Sequence, residues 1–206
     1  MIKGIQEVIQ VIEKAKADLE ANGGLKQVVF VACGGSFASS YPARYLLNQE
    51  GTIRVQGYNA SEFVNATPRN IDKNTLVIGT STKATAETVE AIRVANEKGA
   101  VTVGLSGYPD SLTAQTARYY ITYYHADEWY QDPTLVHCNS QGTALKIAFW
   151  LLKEYCGYTH YEAALEAFEK MPEIYGKAYQ QVKEDAAKFA MTYKDDTVWN
   201  VMSSGA

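Results

Sequence analysis

The sequence predicts an α/β protein: a three-layer αβα sandwich built on a five-stranded parallel sheet and followed by long helices. Three observations carry that prediction. Short apolar runs at about residues 28–33, 52–56, 75–79, 101–105 and 119–122 have the length and composition of strands in a covered sheet. Stretches of helical periodicity separate them, and strand–helix alternation with short connections implies parallel strands joined by right-handed crossovers. The first and third runs break into glycine- and hydroxyl-rich turns, and in such a sheet the carboxyl ends of the strands share one edge.

The elements follow in order. Ile5, Val8, Ile9, Ile12 and Leu19 recur at helical spacing and the pattern stops at Asn22-Gly23-Gly24, so residues 1–24 are expected to form a leading amphipathic helix. Val28 to Cys33 is the first strand. Its turn, Gly34-Gly35-Ser36-Phe37-Ala38-Ser39-Ser40, leads into a helix through Ala43, Leu46 and Leu47. Ile53 and Val55 alternate in a shorter strand, and Asn59 with Glu62 three residues on resembles a capping box. After a polar connection from Pro68 to Asn74 comes the strand at Leu76-Val77-Ile78. The next helix shows Glu87, Glu90, Arg93 and Lys98 to solvent and stops at Gly99. Val101 to Leu105 is the fourth strand, Asp110 or Ser111 caps a short helix containing Leu112, and Tyr119 to Thr122 is the fifth strand.

Beyond His125 the character changes. Thr134 to Tyr155 and Tyr161 to Lys194 have helical periodicity, interrupted near Gly157 and Pro172, and Thr197 to Met202 reads as another buried strand. Ser203-Ser204-Gly205-Ala206 repeats the glycine–hydroxyl turn with no helix behind it, as in a chain cut short. The expected division is therefore residues 25–156 as the sandwich, 157–196 as a helical extension or linker, and 197–206 as the truncated start of a second half.

With 206 residues, 47% hydrophobic and 20% charged, the chain can bury the core of one large domain, alone or with an appendage. A net charge of −4 and a pI near 5.4, with no basic block, leave no electrostatic footprint for nucleic acid or an anionic membrane. The opening M-I-K-G-I-Q-E-V-I-Q is amphipathic with an acid rather than a secretion signal, so a cytoplasmic location is expected. Cys33, Cys138 and Cys156 fit neither a disulfide framework nor a zinc site and are read as free thiols.

The stretch most suggestive of function is Thr75 to Thr88, T-L-V-I-G-T-S-T-K-A-T-A-E-T, which reads as strand, loop and helix. Unpaired N–H groups and a partial positive charge at a helix N-terminus suit a hydroxyl-rich turn to hold a phosphate. The same hydroxyls could simply cap the helix, and the loop alone leaves both readings open. Elsewhere, His137-Cys138 lacks further metal or nucleophile partners, so it reads as a helix-entry feature. His125, Asp127 and Glu128 read as a solvated loop, and His160 lies among surface residues. Tyrosines 119, 120, 123, 124 and 130 suit a subunit contact or a core edge, with the contact favoured. C-G-G-S-F-A-S has no G-x-G-x-x-G register, which argues against a dinucleotide site.

Together these residues resemble the SIS (sugar isomerase) domain family, whose loop follows S-x-S-G-x-T-x-E-T. Thr80 and Thr82 stand for the two serines, Thr85, Glu87 and Thr88 match, and Lys83 replaces the glycine. Cys33-Gly34-Gly35-Ser36 matches the family's C-G-[ST]-S turn, and Asn139-Ser140-Gln141-Gly142-Thr143 its small-residue helix start. Within the family the likeness is to fructosamine- and fructoselysine-6-phosphate deglycases and to the isomerase half of glucosamine-6-phosphate synthase. It is carried by Phe30 to Gly34, by Glu62-Phe63 with Asn65 to Pro68, and by the aromatic stretch Tyr123 to Tyr130.

The resemblance implies an amino-terminal SIS half that binds a phosphorylated sugar or fructosamine and pairs as a homodimer or higher homo-oligomer. It implies a site drawn from Gly34, Gly35, Ser36, Thr80, Ser81, Thr82, Thr85 and Ser140, with Ser36, Ser81, Thr82 and Thr85 on the phosphate, and no metal or organic cofactor. Lys83 could add a point charge there or be a solvated loop lysine. In the deglycases and the synthase the catalytic carboxylate and histidine come from the second half, so the resemblance assigns no catalytic residue within residues 1–206. The rival expectation is a non-catalytic sugar-phosphate sensor, which the absence of a DNA-binding segment disfavours.

Overall fold

In the computed structural model, residues 5–123 and 137–200 are described. Helix α1 (Ile5–Ala21) precedes β1 (Gln27–Ala32), which is followed by α2 (Gly34–Ser39), α3 (Tyr41–Glu50), β2 (Arg54–Asn59) and α4 (Ala60–Asn65). Next come β3 (Thr75–Thr80), α5 (Ala86–Glu97), β4 (Val101–Ser106), α6 (Leu112–Thr116) and β5 (Tyr119–Thr122). The chain then runs through α7 (Ser140–Cys156), α8 (Tyr161–Glu169) and α9 (Met171–Tyr193).

The five strands form one parallel sheet in the order β2-β1-β3-β4-β5, as expected for a doubly covered α/β sandwich. Every residue of β1, β3 and β4 is buried, which is why these strands read as continuous apolar runs. Alternate side chains divide between two cores. Val28, Phe30, Leu76 and Ile78 pack on the face covered by Val8 and Ile12 of α1, Ala43 and Leu47 of α3, and Ile147 and Leu151 of α7. Val29, Val31 and Val77 pack on the other face with Phe63 of α4 and Ala91 and Ala95 of α5. Burying a side chain such as Phe30 or Leu47 contributes about 1.5–3 kcal/mol, so these interlocking rows, rather than helix propensity, hold the layers.

The structure differs from the expectation in several places. Strand β2 extends to Asn59 because its ladder with β1 continues through Phe30↔Gly57 to Ala32↔Asn59, although Gln56-Gly57-Tyr58-Asn59 is not an apolar run. An edge strand with a half-exposed surface has no need of one. Asn59 caps α4 by accepting from Ser61 N at 3.1 Å, rather than through a box with Glu62. The first glycine–hydroxyl turn is itself a short helix, α2. The long tail breaks at Lys170, and Pro172 lies in the first turn of α9, where its missing N–H is no loss. Thr197 to Asn200, expected to open a strand, are irregular and exposed; a strand there would need a neighbour to pair with. Residues 201–206 lie outside the described residues, as do residues 1–4 of the expected leading helix and Thr134 to Val136 of the expected helix start.

Candidate ligand site

The register sets the geometry of the site. Ala32 is the partner of Thr80, so the turns after β1 and β3 leave the carboxyl edge side by side, one strand spacing of about 4.8 Å apart. Thr88, buried in α5, points its Oγ1 at Cys33 Sγ, 3.9 Å away, and joins the helix behind one turn to the mouth of the other.

The β3 turn is fixed from below by its neighbours. Ser81 N donates to Leu105 O at 3.0 Å, while Thr82 O accepts from Gly107 N at 3.0 Å and from Ser106 Oγ at 3.1 Å. Tyr123, just past β5 and buried, donates its hydroxyl to Thr82 Oγ1 at 3.0 Å. Burial pushes its phenol pKa up from the ordinary tyrosine value. Thr80 and Ser81 are buried, whereas residues 82–87 are exposed.

Ser81 Oγ accepts from Thr85 N at 3.0 Å and shares a hydrogen bond with Thr85 Oγ1 at 3.1 Å. Thr85 is the N-cap of α5, yet its side chain makes no capping bond to that helix. The hydroxyl turns back to Ser81 instead. Thr85 therefore does not cap α5 through its own side chain. No side-chain bond from Thr85 occupies the first-turn N–H groups of α5, and the positive end of the helix dipole lies behind them. Lys83 is exposed, with Nζ 5.9 Å from the Tyr108 ring centroid, on the β4 side of the turn.

In the β1 turn, Gly34 has φ +52, a conformation that favours glycine, and Gly35 follows it exposed. Phe37 N donates to Cys33 O at 3.3 Å, Ser39 Oγ donates to Ser36 O at 2.8 Å and Ser40 Oγ donates to Phe37 O at 2.7 Å. Ser36 thus sits half-buried in the opening of α2. Ser140 is the first residue of α7, behind the cap formed when Asn139 Oδ1 accepts from Gly142 N at 2.8 Å. Helix α7 touches α2 and α3, but no hydrogen bond joins Ser140 to Ser36 or Ser81 among the described residues. A Cβ at position 142 would overlap His137 O, so glycine is required for this tight helix entry.

The remaining candidates scatter. His137 is buried with its ring edge-on to Phe168 at 6.0 Å, and Cys138 Sγ lies 3.8 Å from the buried Lys146 Nζ. His160 precedes α8 and packs edge-on to Tyr158 at 5.7 Å. Glu62 on α4 and Glu87 on α5 are exposed. Among the described residues no group of three or more His, Cys, Asp or Glu is placed to hold a metal. The segment with His125, Asp127, Glu128, Tyr124 and Tyr130 lies outside the described residues.

The described tyrosines of that cluster divide between inward and outward positions. Tyr123 serves the β3 turn, and Tyr119 donates to Asp18 Oδ2 at 2.6 Å, whereas Tyr120 is exposed. Tyr123 and Ser106 were missed as site residues. The signal was available in part, because a residue at the carboxyl end of a strand beside β4 must reach the same sheet edge. A cavity of about 780 Å³ opens beside β5, lined by Val11, Lys14, Tyr108 and Tyr119 among others, and one of about 340 Å³ lies between Lys83, Tyr108, Asp110 and Ser111. Neither is lined by Ser36 or Ser81.

Comparison with known proteins adds independent findings. The family model described as the SIS domain matches residues 25–152. Fructosamine deglycase FrlB of Bacillus subtilis is 33% identical over 184 residues, covering 88% of this chain and 55% of that protein. A crystal structure described as a candidate phosphosugar isomerase from Salmonella typhimurium LT2 superposes with a TM-score of 0.84 at 34% identity, over 95% of this chain and 57% of that one. A similarly described structure from Bacillus subtilis superposes at 0.79 with 32% identity, over 93% and 58%. The chain thus spans a little over half the length of these relatives.

Proposed function

The chain belongs to the SIS domain family, and on that premise we propose that it binds a phosphorylated open-chain sugar or fructosamine between the turns after β1 and β3. The observation that carries this reading is the Ser81–Thr85 pair, which turns the cap hydroxyl away from α5 and leaves the helix mouth to the phosphate. In this reading Ser81, Thr82 and Thr85 take the phosphate, and Ser36 reaches it from the neighbouring turn. Gly34 and Gly35 allow close backbone approach, while Thr80 and Ser140 flank the pocket. Each charge-assisted hydrogen bond to the phosphate is worth about 1.5–3 kcal/mol, so a few of them suffice for micromolar binding.

The reading extends to an amino-sugar-phosphate isomerase or a fructosamine-6-phosphate deglycase, working in the cytoplasm as a homo-oligomer. It also takes residues 25–156 as one SIS unit, 157–196 as an extension and 197–206 as the start of a second half. Proton transfer beside an open-chain carbonyl or imine needs a carboxylate base, and the reading places that base outside residues 1–206. Titration calorimetry with fructose 6-phosphate tests the binding step. The Ser81→Ala/Thr82→Ala protein should lose most of its affinity, and equal affinities would remove these turns from the site. An assay of residues 1–206 on fructosamine 6-phosphates tests the placement of the base. Turnover would move it onto this chain, with Glu62 and Glu87 the first to replace.

A further inference from the structure

Helix α2 carries the β1 turn, yet nothing in its own sequence explains why it is ordered. It has six residues, two of them glycine, no buried residue and no side-chain cap at its N-terminus. A helix of this length is far below what holds itself in water. One contact stands out as its support. Arg44, on α3, lays its guanidinium over the Phe37 ring, with Cζ 4.5 Å from the ring centroid and 5.7 Å from that of Tyr41. Its Nε donates to Ser40 Oγ at 3.1 Å, and the buried Ser40 in turn donates to Phe37 O. The guanidinium has no carboxylate partner among the described residues, and burial lowers its pKa. A charged group drawn partly out of water without a counter-ion is retained for its stacking and its hydrogen bond.

Space for the guanidinium comes from β2. A Cβ on Gly57 would overlap Arg44 Nη1 and stand 2.7 Å from Cζ, so any other residue at 57 would force the guanidinium to shift from its seat. We infer that Arg44, seated on Gly57, is a positioning residue for the ligand site: through Phe37 and Ser40 it fixes α2, and so sets where Ser36 meets the sugar phosphate. This rests on the sugar-phosphate reading above.

The experiment compares wild type, Arg44→Met, Gly57→Ala and the double variant. Melting temperature is measured beside calorimetric titration with fructose 6-phosphate and with inorganic phosphate. Gly57→Ala is the sharper probe because it keeps the charge and displaces only the flexible end of the arginine. Both single variants should bind fructose 6-phosphate about tenfold more weakly, as oriented contacts lose their placement, and the double variant no more weakly than either. Affinity for inorganic phosphate should fall in the same variants, because Ser36 is one of the four hydroxyls proposed to hold the phosphate. If the variants melt lower but the folded proteins bind fructose 6-phosphate like wild type, Arg44 is structural only and the inference is overturned. Additive losses in the double variant would equally overturn it. A wild type that binds neither ligand would instead sink the sugar-phosphate reading.

Discussion

Tyr123 donates its hydroxyl to Thr82 Oγ1 at 3.0 Å, across the end of β4, and so ties the strand farthest from the β1 turn to the β3 turn. With Ser106 and Gly107 it makes Thr82 a residue held from three sides. Tyr123→Phe removes only the hydrogen bond. Stability should fall by about 0.5–1.5 kcal/mol. Affinity for sugar phosphate should fall several-fold in the same variant. A thermal melt with a titration checks both, and an unchanged affinity would make Tyr123 a core residue alone.

Ser81 and Thr85 form the centre of the proposed cradle. Thr85→Ser keeps the hydroxyl that bonds Ser81, whereas Thr85→Val keeps the shape and removes it. The serine variant should bind fructose 6-phosphate within about threefold of wild type, and the valine variant about tenfold more weakly, the difference of roughly one hydrogen bond to a charged group. Equal behaviour of the two would mean that the hydroxyl plays no part.

How much of this was legible beforehand varies by element. β1, β3 and β4 were read correctly because burial on both faces leaves an unbroken apolar run, and the residues after them had to lie at one sheet edge. β2 was misjudged at its end because an edge strand pairs through backbone groups that the side-chain pattern does not report. The Ser81–Thr85 pair was visible as a hydroxyl cluster, but its direction, away from the helix, depends on backbone angles that no residue type dictates. Tyr123 and Arg44 were hidden for a different reason. Their roles rest on contacts between positions 41 residues apart in one case and on a vacant Cβ at Gly57 in the other.

Lys146 gives a pH-dependent prediction. It is buried in α7, and desolvation lowers its pKa, with Cys138 partly opposing the shift. The folded protein therefore releases this proton before the unfolded chain does. As pH rises from the folded pKa toward the ordinary lysine value of 10.5, the unfolded state binds more protons and the contribution of Lys146 to stability rises. Lys146→Met should remove that slope and be more stable than wild type below the folded pKa of Lys146. Because buried tyrosines also titrate at high pH, the quantity to follow is the difference between wild type and variant in urea melts from neutral pH up toward the ordinary lysine value of 10.5. A difference that does not shrink with rising pH would refute the assignment.

The last prediction concerns α9. Its 23 residues include none that is buried, and Ile174, Tyr179, Val182, Phe189 and Met191 are each more than half exposed. Within the described residues it contacts the body chiefly through α8. Met171, Tyr175, Ala178, Val182, Ala186, Phe189 and Tyr193 nevertheless fall on one stripe, at steps of four and three residues. A helix of this kind gains little from propensity and depends on covering its apolar side. Amide exchange along 175–190 should thus be orders of magnitude faster than in β1 and β3 when the protein is dilute. If the proposed homo-oligomer uses this stripe, protection there should rise with protein concentration, because association stabilises by mass action, and Val182→Asp should abolish the rise. Exchange in 175–190 that stays fast at every concentration, while sedimentation shows an oligomer, would place the subunit contact elsewhere on the molecule.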